Sequence, residues 1–264
     1  MRKIKAFGQH FLNDQQIAQR ITDLLATDES ESENEKQTNK CVVEIGPGEG
    51  VLTKYLLKRT DIDSLYLIEI DQRLPAELEA RYPSLSGKII CADVLKLPFE
   101  DYIKDNFSVI GNFPYNISTE ILFKVIEYKH QITQVVGMFQ KEVAERVAAK
   151  AGGKEYGVTS VLIQAYYDVS YRFTVEPSSF DPPPKVKSGV LRLTRTHQHE
   201  TQIKHQATFK NVVKQAFGQR RKMLSNALAG MHFDKTQIDP NIWQKRAEQL
   251  SISDFILLAN AVIR

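Results

Sequence analysis

CVVEIGPGEG, residues 41–50, is an apolar run that breaks into a turn of alternating glycines. The next stretch, VLTKYLLKR (51–59), resumes apolar residues at helical spacing. A strand that feeds a helix through glycines predicts a nucleotide-binding α/β sheet, because glycine lets the backbone approach a ligand at the helix N-terminus. Spacing separates two cofactor classes. Gly46, Gly48 and Gly50 spell GxGxG, whereas a dinucleotide site asks for its third glycine at position 51, which is Val51. A ligand carrying an adenosine and an amino acid has no pyrophosphate to cradle.

The alternation continues downstream. SLYLIEID (64–71), KIICAD (88–93), SVIGN (108–112) and ITQVVGMF (132–139) read as strands. Helical patterns at 74–82 and 118–128 fall between them, and another follows at 140–150. Strands alternating with helices imply a largely parallel sheet covered on both faces. Ahead of the first strand, Asn13 and Asp14 can cap a helix with the stripe Ile17, Ile21, Leu24 and Leu25. A helix near 160–167 leads to two later strands, DVSYRFTV (168–175) and VKSGVLRLT (186–194), which flank the stiff loop EPSSFDPPPK. They predict a hairpin-like edge. DESESENEKQTNK (28–40) has no apolar residue and predicts an exposed, mobile loop.

Ligands of such sheets bind beyond the carboxyl ends of the strands. The second strand ends in Glu69, where a carboxylate can accept both hydroxyls of a ribose. The third ends in Asp93, placed for an adenine amino group, and the fourth in Asn112-Phe113-Pro114-Tyr115. Three successive strand ends beside a glycine loop point to S-adenosyl-L-methionine rather than NAD. An aromatic amine is a poor nucleophile because its lone pair is delocalised. The Asn112 side-chain oxygen and a backbone carbonyl near Pro114 can draw its hydrogens toward tetrahedral geometry, which is catalysis by positioning. Tyr115 offers a face for a purine, or else packs in the core. Phe180, in the proline-rich loop, is either the second aromatic of a base sandwich or a core plug.

The chain has 264 residues, 42% hydrophobic and 25% charged, which suits a large domain and a smaller one. No apolar run approaches the roughly 18 residues of a membrane span. The basic start turns polar too early for a signal peptide, so a cytoplasmic protein is expected. Cys41 and Cys91 each adjoin an apolar run and are expected as buried thiols. With His197, His199 and His205 lacking ligand partners at suitable spacing, no metal site is expected. Residues 201–264 carry ten Lys and Arg against four acids, and their stripes (Phe209, Val212, Val213, Ala216, Phe217; Phe255, Leu258, Ala259, Val262) are helical. A basic helical domain suggests a polyanionic partner. The expected division is 1–197 and 201–264, with THQHET between.

EIGPGEGVLT, LIEID, GNFPYNIS, FDPPPKVKSGVLRL, FGQRRKMLSNAL and the early FGQHFLND together resemble the ribosomal RNA adenine N6,N6-dimethyltransferase family. The resemblance runs from residue 7 to about 228. It implies a Rossmann-like S-adenosylmethionine-dependent methyltransferase sheet with a small all-α C-terminal domain. It further implies dimethylation of two adjacent adenosines near the 3′ end of 16S rRNA, in an assembling small subunit (pre-30S), by a monomer. Carried over by position, His10, Leu12, Gly46, Gly48, Glu69, Asp93 and Asn112 would meet the cofactor. Asn112, Pro114, Tyr115 and Phe180 would meet the adenine. Arg220, Arg221 and Lys222 would touch phosphates, or form a solvated helix face.

The sequence departs from the family at His10, where Asn is common, at Phe113 for Leu, and at Lys187 for Asp. The 28–40 loop is longer than usual. A relative that dimethylates large-subunit rRNA and confers macrolide resistance shares the glycine loop and N-x-P-Y. An RNA-binding assembly checkpoint with secondary catalysis is the alternative from another class. An NAD oxidoreductase fails on Val51 and on the lack of a hydride-transfer acid/base site.

Overall fold

The computed structural model of the chain describes residues 10–25 and 41–263. The 28–40 segment, for which an exposed loop is expected, lies outside the described residues.

Asp14 starts α1 (Gln15–Thr22) by accepting hydrogen bonds from the Gln16 and Ile17 amides at 3.0 and 3.1 Å. Then come β2 (Cys41–Ile45), α2 (Thr53–Leu56), β3 (Ser64–Glu69), α3 (Leu74–Arg81), β4 (Ile89–Cys91), β5 (Phe107–Asn112), α4 (Ser118–Glu127), β6 (Ile132–Gln140) and α5 (Lys141–Ala148). β1 (Phe11–Leu12) precedes α1. Among the described residues, β2 to β7 and β9 form one sheet of seven strands in the order β4-β3-β2-β5-β6-β9-β7, with β7 at Tyr167–Val175 and β9 at Ser188–Arg195. β4 through β6 pair parallel, and β9 runs antiparallel to β6. The expected parallel sheet with a late hairpin-like edge is therefore present.

β2 is buried at all five positions, as a central strand covered on both faces must be. α1 packs Ala18 and Ile21, with Leu25 just beyond its end, into the same apolar cluster as Val42, Leu67, Ile110 and Val136. The helix expected at 51–59 is only a single α-helical turn, Thr53–Leu56, flanked by turns. Cys41 is buried, and desolvation pushes its thiol up to about 11. Cys91 corrects the expectation: it sits at the end of an edge strand and is exposed.

β1 pairs antiparallel with β8 (Phe180–Asp181), placing Leu12 opposite Phe180. A two-residue strand has no periodicity, so nothing local in the sequence marks this ladder.

The chain divides into two compact units. One runs to Ala144 and takes in Ser170–Thr194; the other comprises Glu145–Val169 and continues from Arg195. This differs from the division expected at 197–201, because α6 (Val158–Gln164) packs on α7 (Gln206–Gly218). Tyr156 meets the Phe217 ring at 6.0 Å, and the Gly152 amide bonds the Glu248 carbonyl at 2.7 Å. The second unit's core includes Phe209, Val212, Val213 and Ala216 of α7, Leu224 of α8 (Leu224–Ala227), and Phe255 and Leu258 of α9 (Ile252–Asn260). Among the described residues no helix is long and apolar enough to cross a membrane.

Phe113 is fully buried, and the sheet makes room for it with two glycines. Gly111 of β5 and Gly137 of β6 are register partners. A Cβ on Gly137 would lie 2.4 Å from the Phe113 ring, and one on Gly111 would lie 2.7 Å from it. An aromatic ring wedged between strands cannot yield as the tip of a flexible chain does. We therefore expect Gly137→Ala to cost about 1–3 kcal/mol of stability through overpacking. Phe113→Leu combined with it should recover part of that loss, seen as coupling in urea unfolding of the two single variants and the double. Strict additivity would contradict this packing.

Candidate active site

The carboxyl ends of β2, β3, β4 and β5 open onto one cavity, lined by Gly46, Gly48, Glu69, Asp93, Asn112 and Pro114 among others. Each arrives for a local reason. Gly46 leaves β2 with φ +67° and donates its amide to the Ile68 carbonyl at 2.9 Å. Gly48 also has positive φ, and a Cβ there would lie 2.8 Å from the Phe11 ring, so only glycine fits that turn.

Glu69, only 4% exposed, ends β3. One carboxylate oxygen accepts from the Gly48 amide at 3.1 Å and the other from the Asp71 amide at 2.9 Å. Burial pushes its pKa up, and these backbone donors hold the shift back. A carboxylate so placed keeps further lone pairs for hydroxyl donors. Asp93 accepts from the Leu95 amide at 3.0 Å and pairs with Lys96 at 3.6 Å. Ile68, Ile70, Val94 and Leu95 make the wall near the two acids apolar.

At the end of β5, the Asn112 Nδ2 donates to the His10 carbonyl at 2.8 Å. That commits the amide nitrogen and leaves its oxygen as the acceptor. The Pro114 carbonyl receives the Ile117 amide at 3.2 Å, which uses one of its two lone pairs. The Tyr115 hydroxyl is 2.6 Å from Ser188 Oγ, and burial raises its pKa. His10 Nδ1 donates to the Pro182 carbonyl at 2.8 Å, since a carbonyl only accepts. The His10 ring lies 5.6 Å from that of Tyr115, tilted by 31°.

Of the residues singled out from sequence, His10, Gly46, Gly48, Glu69, Asp93, Asn112, Pro114 and Tyr115 thus meet at one cavity. Two do not line it. Leu12 and Phe180 are both 3% exposed and belong to the apolar cluster behind the site. Successive residues of a strand face opposite ways, so Phe11 lines the cavity where Leu12 was expected. In this conformation Phe180 takes the core-plug place of its two expected ones and does not line the cavity. The basic trio also divides. α7 ends at Gly218, so residues 220–222 form turns rather than a helix face. The Arg220 guanidinium donates to the Lys154 carbonyl at 2.6 Å and stands 3.5 Å from the Glu248 carboxylate. Arg221 and Lys222 are exposed.

A family model described as "Ribosomal RNA adenine dimethylase" matches residues 1–263. The chain belongs to that family. It is 51% identical over 263 residues to "Ribosomal RNA small subunit methyltransferase A" of Cytophaga hutchinsonii, covering 98% of each chain. The protein of the same name from Parabacteroides distasonis is 49% identical, over 96% of this chain and 91% of that one. Among solved structures, a dimethyladenosine transferase from Plasmodium falciparum superposes with a TM-score of 0.77 at 24% identity, covering 96% of this chain and 99% of that one. The 23S rRNA methyltransferase ErmE gives 0.70 at 21% identity over the same shares of the two chains. At these identities the two structures speak for the fold alone, a Rossmann-like methyltransferase sheet with C-terminal helices.

Sequence reasoning missed one acid of this dimethylase. Glu44 of β2 is 1% exposed and accepts from the Thr53 hydroxyl at 2.6 Å. Desolvation, with a lesser push from Glu69, raises its pKa to about 8. It looked like one more residue of an apolar strand with an acid in it, and only burial reveals the cost. The folded chain holds this proton up to about pH 8, while an unperturbed glutamate loses it near 4.5, so the folded state binds more protons and loses stability as pH climbs between the two. Glu44→Gln is neutral throughout and keeps an acceptor for Thr53. Its melting temperature relative to wild type should therefore rise from about pH 5 to about pH 9 in cofactor-free protein. A pH-independent difference would mean that Glu44 is ionised in the folded state.

Proposed function

We propose that the protein dimethylates the N6 amines of two adjacent adenosines near the 3′ end of 16S rRNA, acting as a cytoplasmic monomer on the assembling small subunit. The observation that carries this reading is the meeting of Glu69, Asp93 and the Asn112–Tyr115 loop at one cavity in a chain of the dimethylase family. The relatives at 51% and 49% identity are small-subunit enzymes by name, which favours that subunit over the large one.

The residues fit S-adenosylmethionine as methyl donor. An adenosine asks for a flat apolar slot, a carboxylate for its ribose diol and an acceptor for its amino group. Ile68, Ile70, Glu69 and Asp93 are that set. When bound, the cofactor supplies a methyl group on a sulfonium, an electrophile needing no further activation.

The chain's own residues then prepare the nucleophile. Asn112 Oδ1 and the free lone pair of the Pro114 carbonyl accept the two amine hydrogens in the first transfer, and one of these acceptors takes the single remaining hydrogen in the second. That pulls the nitrogen out of conjugation and aims its lone pair. Pro114 fixes φ, so the acceptors are in place before the base arrives. Such preorganised groups act without reorganisation in the transition state. Tyr115 stacks on the base. In the second unit, Arg221 and Lys222 contact phosphates, while Arg220 holds the 153–154 turn.

Purified protein should transfer labelled methyl groups to undermethylated small subunits and leave mature ones unlabelled. Transfer to large-subunit rRNA instead would overturn the subunit assignment. In the same assay Asn112→Ala should lose about a hundredfold or more in turnover while keeping part of its cofactor affinity. Unchanged turnover would remove the amide from the mechanism. Arg221→Ala and Lys222→Ala should weaken subunit binding and each flatten its log–log salt dependence by about one charge, with melting temperature unchanged. Arg220→Ala should instead lower the melting temperature.

A further inference from the structure

The Tyr115 ring is held before any base reaches it. Its hydroxyl meets Ser188 Oγ at 2.6 Å, and Ser188 is 0% exposed at the first position of β9, opposite Gln140 of β6. A buried serine needs a hydrogen-bond partner, and the tyrosine hydroxyl is one. The main-chain carbonyl of Tyr115 accepts from Ser118 Oγ at 3.2 Å, and the His10 ring centroid lies 5.6 Å from that of its ring. The ties form a closed circuit. Asn112 bonds the His10 carbonyl, the His10 ring bonds the Pro182 carbonyl, and six residues on, Ser188 returns to Tyr115. The amide acceptor and the aromatic face therefore share one frame built from three separate parts of the chain.

We propose that Ser188 is a positioning residue of the methyl-transfer site, fixing the Tyr115 ring as a preformed stacking surface for the target base. The inference rests on the dimethylase reading above. A ring with its hydroxyl anchored has lost its χ freedom in advance, so the base does not have to order it on entry. The reacting nitrogen is then held at the angle that Asn112 requires, and a small misplacement there is costly in rate. Ser188 does not itself line the cavity, so removing the anchor takes away no direct cofactor contact.

The test is a cycle of Ser188→Ala, Tyr115→Phe and the double variant on undermethylated small subunits, with turnover, KM for the subunit and cofactor affinity measured separately. Each single variant should lose about tenfold in kcat. Cofactor affinity should stay within about twofold and melting temperature within a few degrees. The double variant should be no slower than either single one, since both ends of one bond are gone. Wild-type kcat in Ser188→Ala, or a double variant whose losses multiply, would overturn the inference. Should Ser188→Ala fold poorly, Tyr115→Phe cuts the same bond from the accessible end, and full kcat in it is equally fatal. Wild-type protein inactive on subunits would bring down the dimethylase reading and this inference with it; active wild type with an active Ser188→Ala would bring down this inference alone.

Discussion

The candidate site hangs on one short strand. Cys41–Ile45 lies between β3 and β5, with Val42 opposite Leu65 on one side and Ser108 on the other. Parallel pairing in that register brings the ends of β2, β3 and β5 to the same edge of the sheet. The glycine loop, Glu69 and Asn112 therefore arrive together by turns of a few residues. A shift of one residue would turn every side chain of β2 to the opposite face and carry the Glu44 carboxylate away from the Thr53 hydroxyl that it accepts from. Packing energy thus becomes positional accuracy at the cavity.

That accuracy has an electrostatic cost behind the glycine loop. Two acids, Glu44 and Glu69, are buried within reach of each other's charge. They are handled differently. Glu69 remains an acceptor because backbone amides from Gly48 and Asp71 stabilise its charged form. Glu44, deeper and bonded to Thr53, is driven toward its neutral form. A ribose hydroxyl would therefore meet a carboxylate that has already shed most of its water. The folding energy of the sheet has covered a desolvation that binding would otherwise bear.

The adenine side is stiffened by packing as well as by hydrogen bonds. Phe113 sits over the Gly111–Gly137 pair and meets Phe139 in a T-shaped contact, centroids 5.2 Å apart. Asn112 and Pro114 flank this buried ring and have little freedom to drift. The short β1–β8 ladder supports the same region from the other side, since Leu12 and Phe180 bury themselves together and leave Phe11 and His10 at the cavity. In the second unit, Tyr156 and Arg220 join the 145–169 stretch to the C-terminal helices, so a cation that reads as an RNA contact is spent on structure.

The sequence by itself determined the sheet, its direction and the residues at its strand ends. Periods of two and 3.6, a GxGxG turn and acids one strand apart are local signals, and they survive folding because each element satisfies its own backbone. Most of the cavity was legible for the same reason: parallel strands deliver their carboxyl ends to one edge whatever the details. What only the tertiary structure decided depends on partners far apart in the chain. Phe180 reads equally as a sandwich aromatic or a core plug until β1 pairs with β8 and buries it. Cys91 reads as buried until β4 proves to be the edge. Arg220 reads like Arg221 until the Lys154 carbonyl takes it. The pKa of Glu44, the ties of Tyr115 to Ser188 and of His10 to Pro182, and the home of residues 145–169 all follow from burial and long-range hydrogen bonds. A carboxylate, a hydroxyl or a guanidinium has no fixed role in the sequence, because its energy is set by what replaces its water.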